Sequence, residues 1–242
     1  MSMRISRRWF LGFTAMAMTT RPIALGADNM PSVPANLDHI LLGAADLDHG
    51  IAWMQERSGV RAIFGGVHPG RGTRNALLSL GPGRYLEIIA PDPQQASAAS
   101  GNDMANRLRA IREPRLIGWA AHTNDLASLV QKAGAAGIAI ENPRDGSRVR
   151  PDGKTLRWRS FALKKDFDGV LPFFIEWDRS SNHPSQDAPA GCTLQHFFIE
   201  SPAVEDVRLV AARLGLEVEL KPAKTPVLHA RINGKRGAFE IT

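Results

Sequence analysis

Two short stretches of the sequence, Leu37–Leu42 and Tyr85–Ile89, decide the fold. They read LDHILL and YLEII, and each is an apolar run of the length that forms a buried β-strand. Between them the pattern predicts a helix that starts near Asp46 and a further strand over residues 75–80. The sequence GPG at residues 81–83 is typical of a turn. The predicted order of elements is therefore a strand, a helix and two or three strands.

This order of elements is repeated twice more along the chain. The second copy begins at residues 116–121, and the third begins at residues 194–199. One such unit cannot cover its own sheet, so we expect two units to pair. The sequence thus predicts an α+β fold in which paired βαβββ modules form a half-open barrel, and a third βαβββ-like repeat packs alongside. The corresponding domains are residues 36–185, with two modules, and residues 192–242.

Residues 1–27 are expected to be an export signal and not part of the fold. Residues 6–12 read SRRWFLG, which resembles the twin-arginine export motif. The apolar stretch at residues 9–20 is too short to cross a hydrocarbon core of about 30 Å. Small residues at 24–27 (ALGA) suit a signal peptidase. We therefore expect a periplasmic or secreted protein without a stable membrane anchor.

The charge of the chain does not favour binding of nucleic acid. Its formal net charge is +6, from 30 basic and 24 acidic residues, but four of the basic residues precede Asp28. The remaining 26 basic and 24 acidic residues are interspersed, and no basic stripe of the kind that follows a phosphate backbone is present in the sequence. We expect a small-molecule ligand as the partner, and either a monomer or a homodimer.

The alternation of side chains predicts where the site lies. Alternation places His39 on one face of its strand together with Leu37 and Leu41, and Glu87 on one face together with Tyr85. His39 and Glu87 can then point into the same cup of the barrel.

The motifs of the chain resemble the vicinal-oxygen-chelate superfamily, and particularly its glyoxalase-like branch. The first module carries LDHI (37–40), GGVHPGRGTRN (65–75) and YLEII (85–89), and the second carries RPDG (150–153), LRWR (156–159) and PFFIEW (172–177). The likeness covers most of residues 36–185, and the motifs follow one another in the order typical of that branch.

The resemblance implies a divalent metal, because in that superfamily His and Glu side chains of paired modules hold a metal in the cup. Carried over by position, it implies His39, Glu87 and Glu176 as ligands, with Glu87 and Glu176 also as the proton-transferring groups. Imidazole and carboxylate suit a catalytic metal with open positions. At the fourth ligand position the chain has Gly118, which has no side chain to bind a metal. The missing ligand also fits a pocket that has lost its metal, and both alternatives stay open.

Four further side chains are candidates for substrate binding. His68 and Asn75 belong to the glycine-rich segment HPGRGTRN and are expected at the mouth of the cup. That segment has no Gly-Lys-Ser/Thr ending, so it is not a phosphate-binding loop, and no nucleotide cofactor is expected. Trp158 and Arg159 alternate on a strand, so only one of them can face inward. An inward Trp158 would form an apolar wall, and an inward Arg159 would suit a carboxylate substrate.

The third repeat contains a second candidate pair, His196 and Glu240, at the positions of His39 and Glu87. Without a fourth module to complete a cup, we expect this pair to be structural, although a second site is an open alternative. His183 lacks a comparable partner in the sequence and is expected in a loop or at the surface.

Two classes of function agree with these features. The first is an enzyme with metal-assisted isomerase, lyase or dioxygenase-type chemistry on a small oxygenated metabolite, in which a carboxylate moves a proton. The second is a non-catalytic periplasmic protein that sequesters a small molecule. The fold itself does not decide between them.

Overall fold

The computed structural model describes residues 32–95, 103–150 and 153–242. The expected export signal at residues 1–27 lies outside these described residues. Within them, no helix is long and apolar enough to cross a membrane.

Twelve strands and five α-helices are described. The strands are β1 (Leu37–Gly43), β2 (Ile63–His68), β3 (Thr73–Ser79), β4 (Tyr85–Pro91), β5 (Arg115–His122), β6 (Arg144–Val149), β7 (Thr155–Phe161), β8 (Phe173–Trp177), β9 (Thr193–Ser201), β10 (Glu219–Pro222), β11 (Val227–Gly234) and β12 (Gly237–Ile241). The helices are α1 (Leu47–Ser58), α2 (Asp103–Arg109), α3 (Leu126–Ala135), α4 (Pro184–Asp187) and α5 (Val204–Leu214).

The first two modules form one eight-stranded sheet, as predicted. Its strand order is β2-β3-β4-β1-β5-β8-β7-β6. In each module the last strand lies parallel beside the first, β4 beside β1 and β8 beside β5, while β1 and β5 join the modules in antiparallel pairing. The α+β barrel predicted from the sequence is confirmed.

The first helix of each module begins at an aspartate. The Asp46 side chain accepts a hydrogen bond from the His49 backbone N–H at 2.8 Å, and the Asp125 side chain accepts one from Ser128 at 2.9 Å. Each carboxylate satisfies a backbone donor that has no partner within the first turn. The repeated Asp-Leu pair in the sequence therefore marks two helix starts.

Two glycines bring the open edges of the barrel together. A side chain added at Gly66 would lie 3.0 Å from the carbonyl oxygen of Val149, so β2 and β6 approach closely there. Gly66 also has a φ of 138°, a conformation that other residues rarely adopt. The Gly65-Gly66 pair thus allows the sheet to curl almost to closure.

The third unit has the predicted order of elements but a different strand pairing. Its four-stranded sheet has the order β10-β9-β11-β12. The first strand, β9, pairs with β10 and β11, and the last strand, β12, pairs with β11 alone. In the first module, by contrast, the first and last strands are neighbours. The first and third units therefore have the same order of elements in the sequence but different strand pairing in the sheet.

The third unit shares its core with the barrel. One apolar cluster includes buried residues from all three units, among them Ile88, Trp119 and Phe197. The rings of Trp119 and Phe197 lie 5.3 Å apart. This core packs on the outer face of the central strands of the barrel, such as β4 and β5.

Candidate active site

A β-bulge at Asp38 determines the site. Leu37 pairs with Ala121, and His39 pairs with the next residue, Ala120, so Asp38 is an extra residue in β1. Because of the bulge, Leu37 points into the outer apolar core. Alternation had predicted that Leu37 lies on the same face of the strand as His39. That part of the prediction is wrong, because a bulge shifts the phase of alternation. Asp38 and His39 both contact residues of the barrel interior as a result.

Asp38 anchors three side chains inside the barrel. One carboxylate oxygen accepts from His39 Nδ1 at 2.7 Å, and the other accepts from Trp177 Nε1 at 2.9 Å and from His183 Nε2 at 3.2 Å. Burial would raise the pKa of Asp38, but the hydrogen bonds and charges of His183 and His39 outweigh it and lower the pKa well below its usual range. Asp38 is therefore ionised at neutral pH.

His183 is part of this network, whereas we expected it in a loop or at the surface without a partner. Its Nδ1 accepts from the Ser185 backbone N–H at 3.2 Å, which leaves Nε2 to donate to Asp38. The residue lies just before α4, and its partner is 145 positions away in the sequence. Such a long-range contact leaves no local signal in the sequence.

Glu87 lies at the centre of the cluster, as the alternation of β4 predicts. Its two carboxylate oxygens lie 3.5 Å from His39 Nε2 and 3.6 Å from His68 Nε2. Asn75 Nδ2 donates to Glu87 at 2.8 Å. Burial would raise the pKa of Glu87, but the nearby imidazoles of His68 and His39, the Asn75 hydrogen bond and the Arg148 guanidinium together outweigh it, so the pKa lies below its ordinary value. The structure thus brings four predicted residues together.

The ring of His68 is held in one orientation by two polar contacts. Its Nδ1 is hydrogen bonded with Thr73 Oγ1 at 2.9 Å, and its Nε2 lies 3.3 Å from the donor Nδ2 of Asn75. Burial lowers the pKa of His68 and favours the neutral imidazole. Asn75 thus joins His68 to Glu87 through the two hydrogens of its amide nitrogen.

Arg148 supplies a positive charge that was not predicted from the sequence. Its Nη1 donates to Asn75 Oδ1 at 3.3 Å, and the residue is only 5% exposed. A side chain at Gly65 would lie 2.4 Å from Nη1, so only glycine leaves this path open. Burial lowers the pKa of Arg148, yet a guanidinium remains charged in proteins. The signal was the Gly65-Gly66 pair, which marks a close approach of two segments.

Aromatic rings form the walls around His39. Its ring stacks on Tyr85 with 4.5 Å between centroids, and the edge of Phe173 approaches it at 5.4 Å. Burial and the nearby carboxylates of Asp38 and Glu87 raise the pKa of Tyr85 well above its ordinary value, so the phenol stays protonated. These contacts fix the plane of the imidazole.

Glu176 is not brought to this cluster. Its carboxylate accepts from the Leu126 backbone N–H at 3.3 Å, at the start of α3. Trp177, the next residue on β8, faces the interior and donates to Asp38, so alternation turns Glu176 to the helical side. The ligand set implied by the resemblance is thus divided between the two faces of the sheet.

The donor atoms of the cluster do not fit a metal. Among the described residues, no group of three His, Cys, Asp or Glu side chains is arranged to hold one. The amide nitrogen of Asn75 lies in contact with both Glu87 and His68, and Arg148 adds a fixed cation beside it. A side chain at Gly118 would meet no atom within 4 Å, so the fourth ligand position is open space.

Of the alternating pair on β7, Trp158 lies on the interior side and Arg159 on the outer side. Trp158 covers Gly146, where an added side chain would come within 2.4 Å of the indole, and its ring lies 5.5 Å from that of Trp177. Arg159 is 55% exposed and lies 3.4 Å from Asp145. One alternative from the sequence was that Arg159 faces inward and provides a positive charge. In the structure Arg148 provides the inward positive charge.

The pair in the third unit does not form a second copy of the site. His196 Nε2 lies 2.6 Å from Glu219 on β10, and Glu240 lies 3.8 Å from Arg231 on β11. The two candidates thus have separate partners on an outer face. This agrees with a structural role for both.

A small cavity of about 130 Å³ adjoins the cluster. Its lining is mostly apolar, with Arg148, Arg150 and Asp187 as the charged residues. Arg150 and Asp187 form an ion pair at this cavity. The apolar lining residues are Ile63, Phe64, Leu77, Leu156, Pro184 and Ala188. Arg148 therefore connects the polar cluster to a space for an apolar group.

A wider groove of about 550 Å³ lies elsewhere, between α1 and residues 110–115. Its lining carries charges of both signs and contains none of the cluster residues. We therefore place the candidate site in the barrel.

Solved structures resemble the fold of this chain at low sequence identity. A hypothetical protein from Staphylococcus aureus superposes with a TM-score of 0.63 at 15% sequence identity, covering 79% of this chain and 87% of that one. Methylmalonyl-CoA epimerase from Mycobacterium tuberculosis gives a TM-score of 0.43 at 19% identity, covering 64% and 95%. A variant of the epimerase from Streptomyces coelicolor gives 0.45 at 20% identity, covering 62% and 99%.

Comparison of sequences identifies the family. No curated protein matches the chain. The family described as "Glyoxalase-like domain" matches residues 37–215, which is most of the chain and includes every residue of the cluster. The chain therefore belongs to the glyoxalase-like domain family.

Proposed function

We propose that this protein is an enzyme that moves a proton on a small oxygenated metabolite, with His39 as the acid–base group. The observation that carries the proposal is the Asp38–His39 hydrogen bond of 2.7 Å, which directs Nε2 of the ring towards Glu87. A histidine oriented by a buried carboxylate is a common arrangement for proton transfer.

His39 has the parts that the reaction needs. Asp38 accepts the Nδ1 proton, so Nε2, which lies 3.5 Å from Glu87, is the nitrogen that would take a proton from a carbon next to a carbonyl group. The electron pair of the broken C–H bond forms the C=C bond of an enolate as the π pair of the carbonyl moves to oxygen. Return of a proton from His39 to the same carbon re-forms the carbonyl and exchanges the hydrogen with solvent. Asp38 and Glu87 would stabilise the imidazolium that forms in between, in the low dielectric of the barrel.

The metal-assisted route implied by the resemblance is not part of this proposal. Glu176 lies on the other face of its strand, and the Asn75 amide already contacts the acceptors Glu87 and His68. The glyoxalase-like fold supports a role in small-molecule binding or conversion. The acid–base assignment rests on the residues of this chain.

The site of action is proposed to be the periplasm or the extracellular space. The support is the resemblance of residues 6–12 to a twin-arginine motif. Replacing Arg7 and Arg8 with lysine is expected to retain the protein in the cytoplasm, as measured by cell fractionation. Unchanged export of this variant would contradict the proposal.

Exchange of substrate hydrogen tests the enzymatic proposal. Purified protein is incubated in D₂O with small 2-hydroxy and 2-oxo acids, and loss of the proton signal next to the carbonyl is followed by NMR. We expect exchange with at least one compound, and a decrease of about 100-fold or more in His39→Gln. The matched control is His196→Gln, which changes a histidine of the third unit. Exchange that is absent from wild type, or equal in His39→Gln, would contradict the proposal.

Binding without turnover is the second candidate. The observation in its favour is that Asn75 and Arg148 already hydrogen bond within the cluster and hold Glu87 in place. A rigid, satisfied site of this kind suits recognition. A compound that raises the melting temperature but shows no exchange would favour this candidate over the enzyme.

A further inference from the structure

We infer that Arg148 and the cavity beside it form the binding site for a small monocarboxylate with an apolar body. The inference rests on the proposed function, because it names the class of substrate which the barrel would take. It replaces the divalent cation implied by the resemblance with a guanidinium as the positive charge of the site.

The cavity selects for size and apolar character. Its volume of about 130 Å³ is well below the ~300–1,000 Å³ of pockets for drug-sized ligands. Leu77 and Leu156 are buried residues of its lining. Burial of a branched hydrocarbon group against them would be favourable.

Charge in the lining selects for an anion. Arg148 and Arg150 contribute two positive charges and Asp187 one negative charge, so the lining carries a net positive charge. Asp187 forms its ion pair with Arg150, and it is Arg148 that reaches from the cavity to the cluster. A carboxylate in this space would meet a buried, weakly hydrated cation.

The shape of the guanidinium suits a carboxylate. Arg148 Nη1 donates to Asn75 Oδ1, and a guanidinium has five N–H donors in a planar fork. This fork matches the two oxygens of a carboxylate. A carboxylate held in this way would lie next to Asn75, whose amide is hydrogen bonded to Glu87.

Gly65 fixes the place of the guanidinium. A side chain at this position would lie 2.4 Å from Arg148 Nη1 and 2.5 Å from Asn75 Oδ1. Gly65→Ala therefore displaces Arg148 without removing its charge. At Gly118 an added side chain meets no atom within 4 Å, so Gly118→Ala is the matched control.

The test compares 3-methylbutanoate with its amide, 3-methylbutanamide, by isothermal titration. The two molecules have the same shape, so the difference in affinity reports the carboxylate. We expect wild type to bind the acid at least about tenfold more tightly than the amide, because the acid accepts charge-assisted hydrogen bonds. We expect Arg148→Gln and Gly65→Ala to lose this preference. Arg159→Gln, on the outer face, and Gly118→Ala should keep it.

Three results would overturn the inference: no binding of 3-methylbutanoate to wild type, equal affinity of wild type for acid and amide, or a preference that persists in a folded Arg148→Gln variant. If Arg148→Gln does not fold, the acid–amide comparison on wild type still decides. Binding is also measured in His39→Gln, which removes the acid–base group alone. A preference for the carboxylate without hydrogen exchange would contradict the proposed enzyme and support the binding site. Hydrogen exchange without a preference for the carboxylate would support the enzyme and contradict the binding site.

Discussion

The first module and the third unit have the same order of elements, yet they bring different side chains together. Each has a histidine on its first strand and a glutamate on its last. In the first module β4 lies beside β1, and His39 and Glu87 come within 3.5 Å. In the third unit β11 lies between β12 and β9, so Glu240 and His196 are not on neighbouring strands. Which strands are neighbours, and not their order in the sequence, determines which residues meet.

The two regions also differ in burial. Asp38 and His39 are almost wholly buried, at 1% and 2% exposure. His196 and Glu219 form a closer pair on the outer face of the smaller sheet, with side chains 31% and 28% exposed. Exposed ion pairs contribute little to stability, whereas an unpaired buried charge is costly. We therefore expect the same chemical change to have unequal effects in the two regions.

The largest effect is expected for the anchor of the barrel. Asp38→Asn removes the charge that accepts from His39, Trp177 and His183, and should lower the free energy of unfolding by about 3 kcal/mol. The matched change in the third unit, Glu219→Gln, should lower it by less than about 1 kcal/mol. Urea denaturation of both variants measures the difference. Equal losses would show that burial does not separate the two regions.

A smaller effect is expected where the barrel edges meet. Gly65→Ala places a side chain against Arg148 and Asn75 and should lower the free energy of unfolding by about 2 kcal/mol. Gly118→Ala has open space around it and no positive φ, so we expect no loss, or a gain of about 0.5 kcal/mol from the less flexible unfolded chain. The comparison fails if the two variants unfold at the same urea concentration.

Acid should reduce the difference between Asp38→Asn and wild type. The folded-state pKa of Asp38 lies below its unfolded value of about 3.9. Its stabilisation is therefore fully present above the unfolded pKa and is lost as the pH falls towards the folded pKa. We expect a constant difference between about pH 7 and pH 5 and a shrinking one below about pH 4, measured by urea denaturation. A difference that shrinks as the pH rises would contradict this.

The smallest effect is expected at Glu240. Its side chain is 64% exposed and lies 3.8 Å from the half-exposed Arg231. Glu240→Gln should change the free energy of unfolding by less than about 0.5 kcal/mol. It should also leave binding and exchange unchanged, whereas Glu87→Gln removes the carboxylate between His39 and His68. A loss of binding in Glu240→Gln would restore the second site as an alternative.

The sequence predicted the parts of the fold that depend on local pattern. Apolar runs and aspartate caps gave the strands and helices of both modules, and the alternation of β4 placed Glu87 inside the barrel. The bulge at Asp38 was not predicted, because it arises from the pairing of β1 with β5 some 80 residues away. Without the bulge, the network of Asp38, His39 and Trp177 could not be foreseen.

Two further features of the site depend on long-range packing. The inward side of β8 is fixed by the contact of Trp177 with Asp38, so alternation could not tell whether Glu176 or its neighbour faces the cup. The reach of Arg148 depends on the missing side chain at Gly65, on another strand of the barrel edge. Both features relate residues that are far apart in the sequence.

The state of the histidine rings tests the central claim most directly. In protein labelled with ¹⁵N at histidine, NMR distinguishes protonated, unprotonated and metal-bound ring nitrogens. We predict that His39 and His68 carry their protons on Nδ1, and that their spectra are the same before and after treatment with a chelator. Nε2 signals of either ring that are shifted by a metal and revert with chelator would contradict a metal-free acid–base cluster.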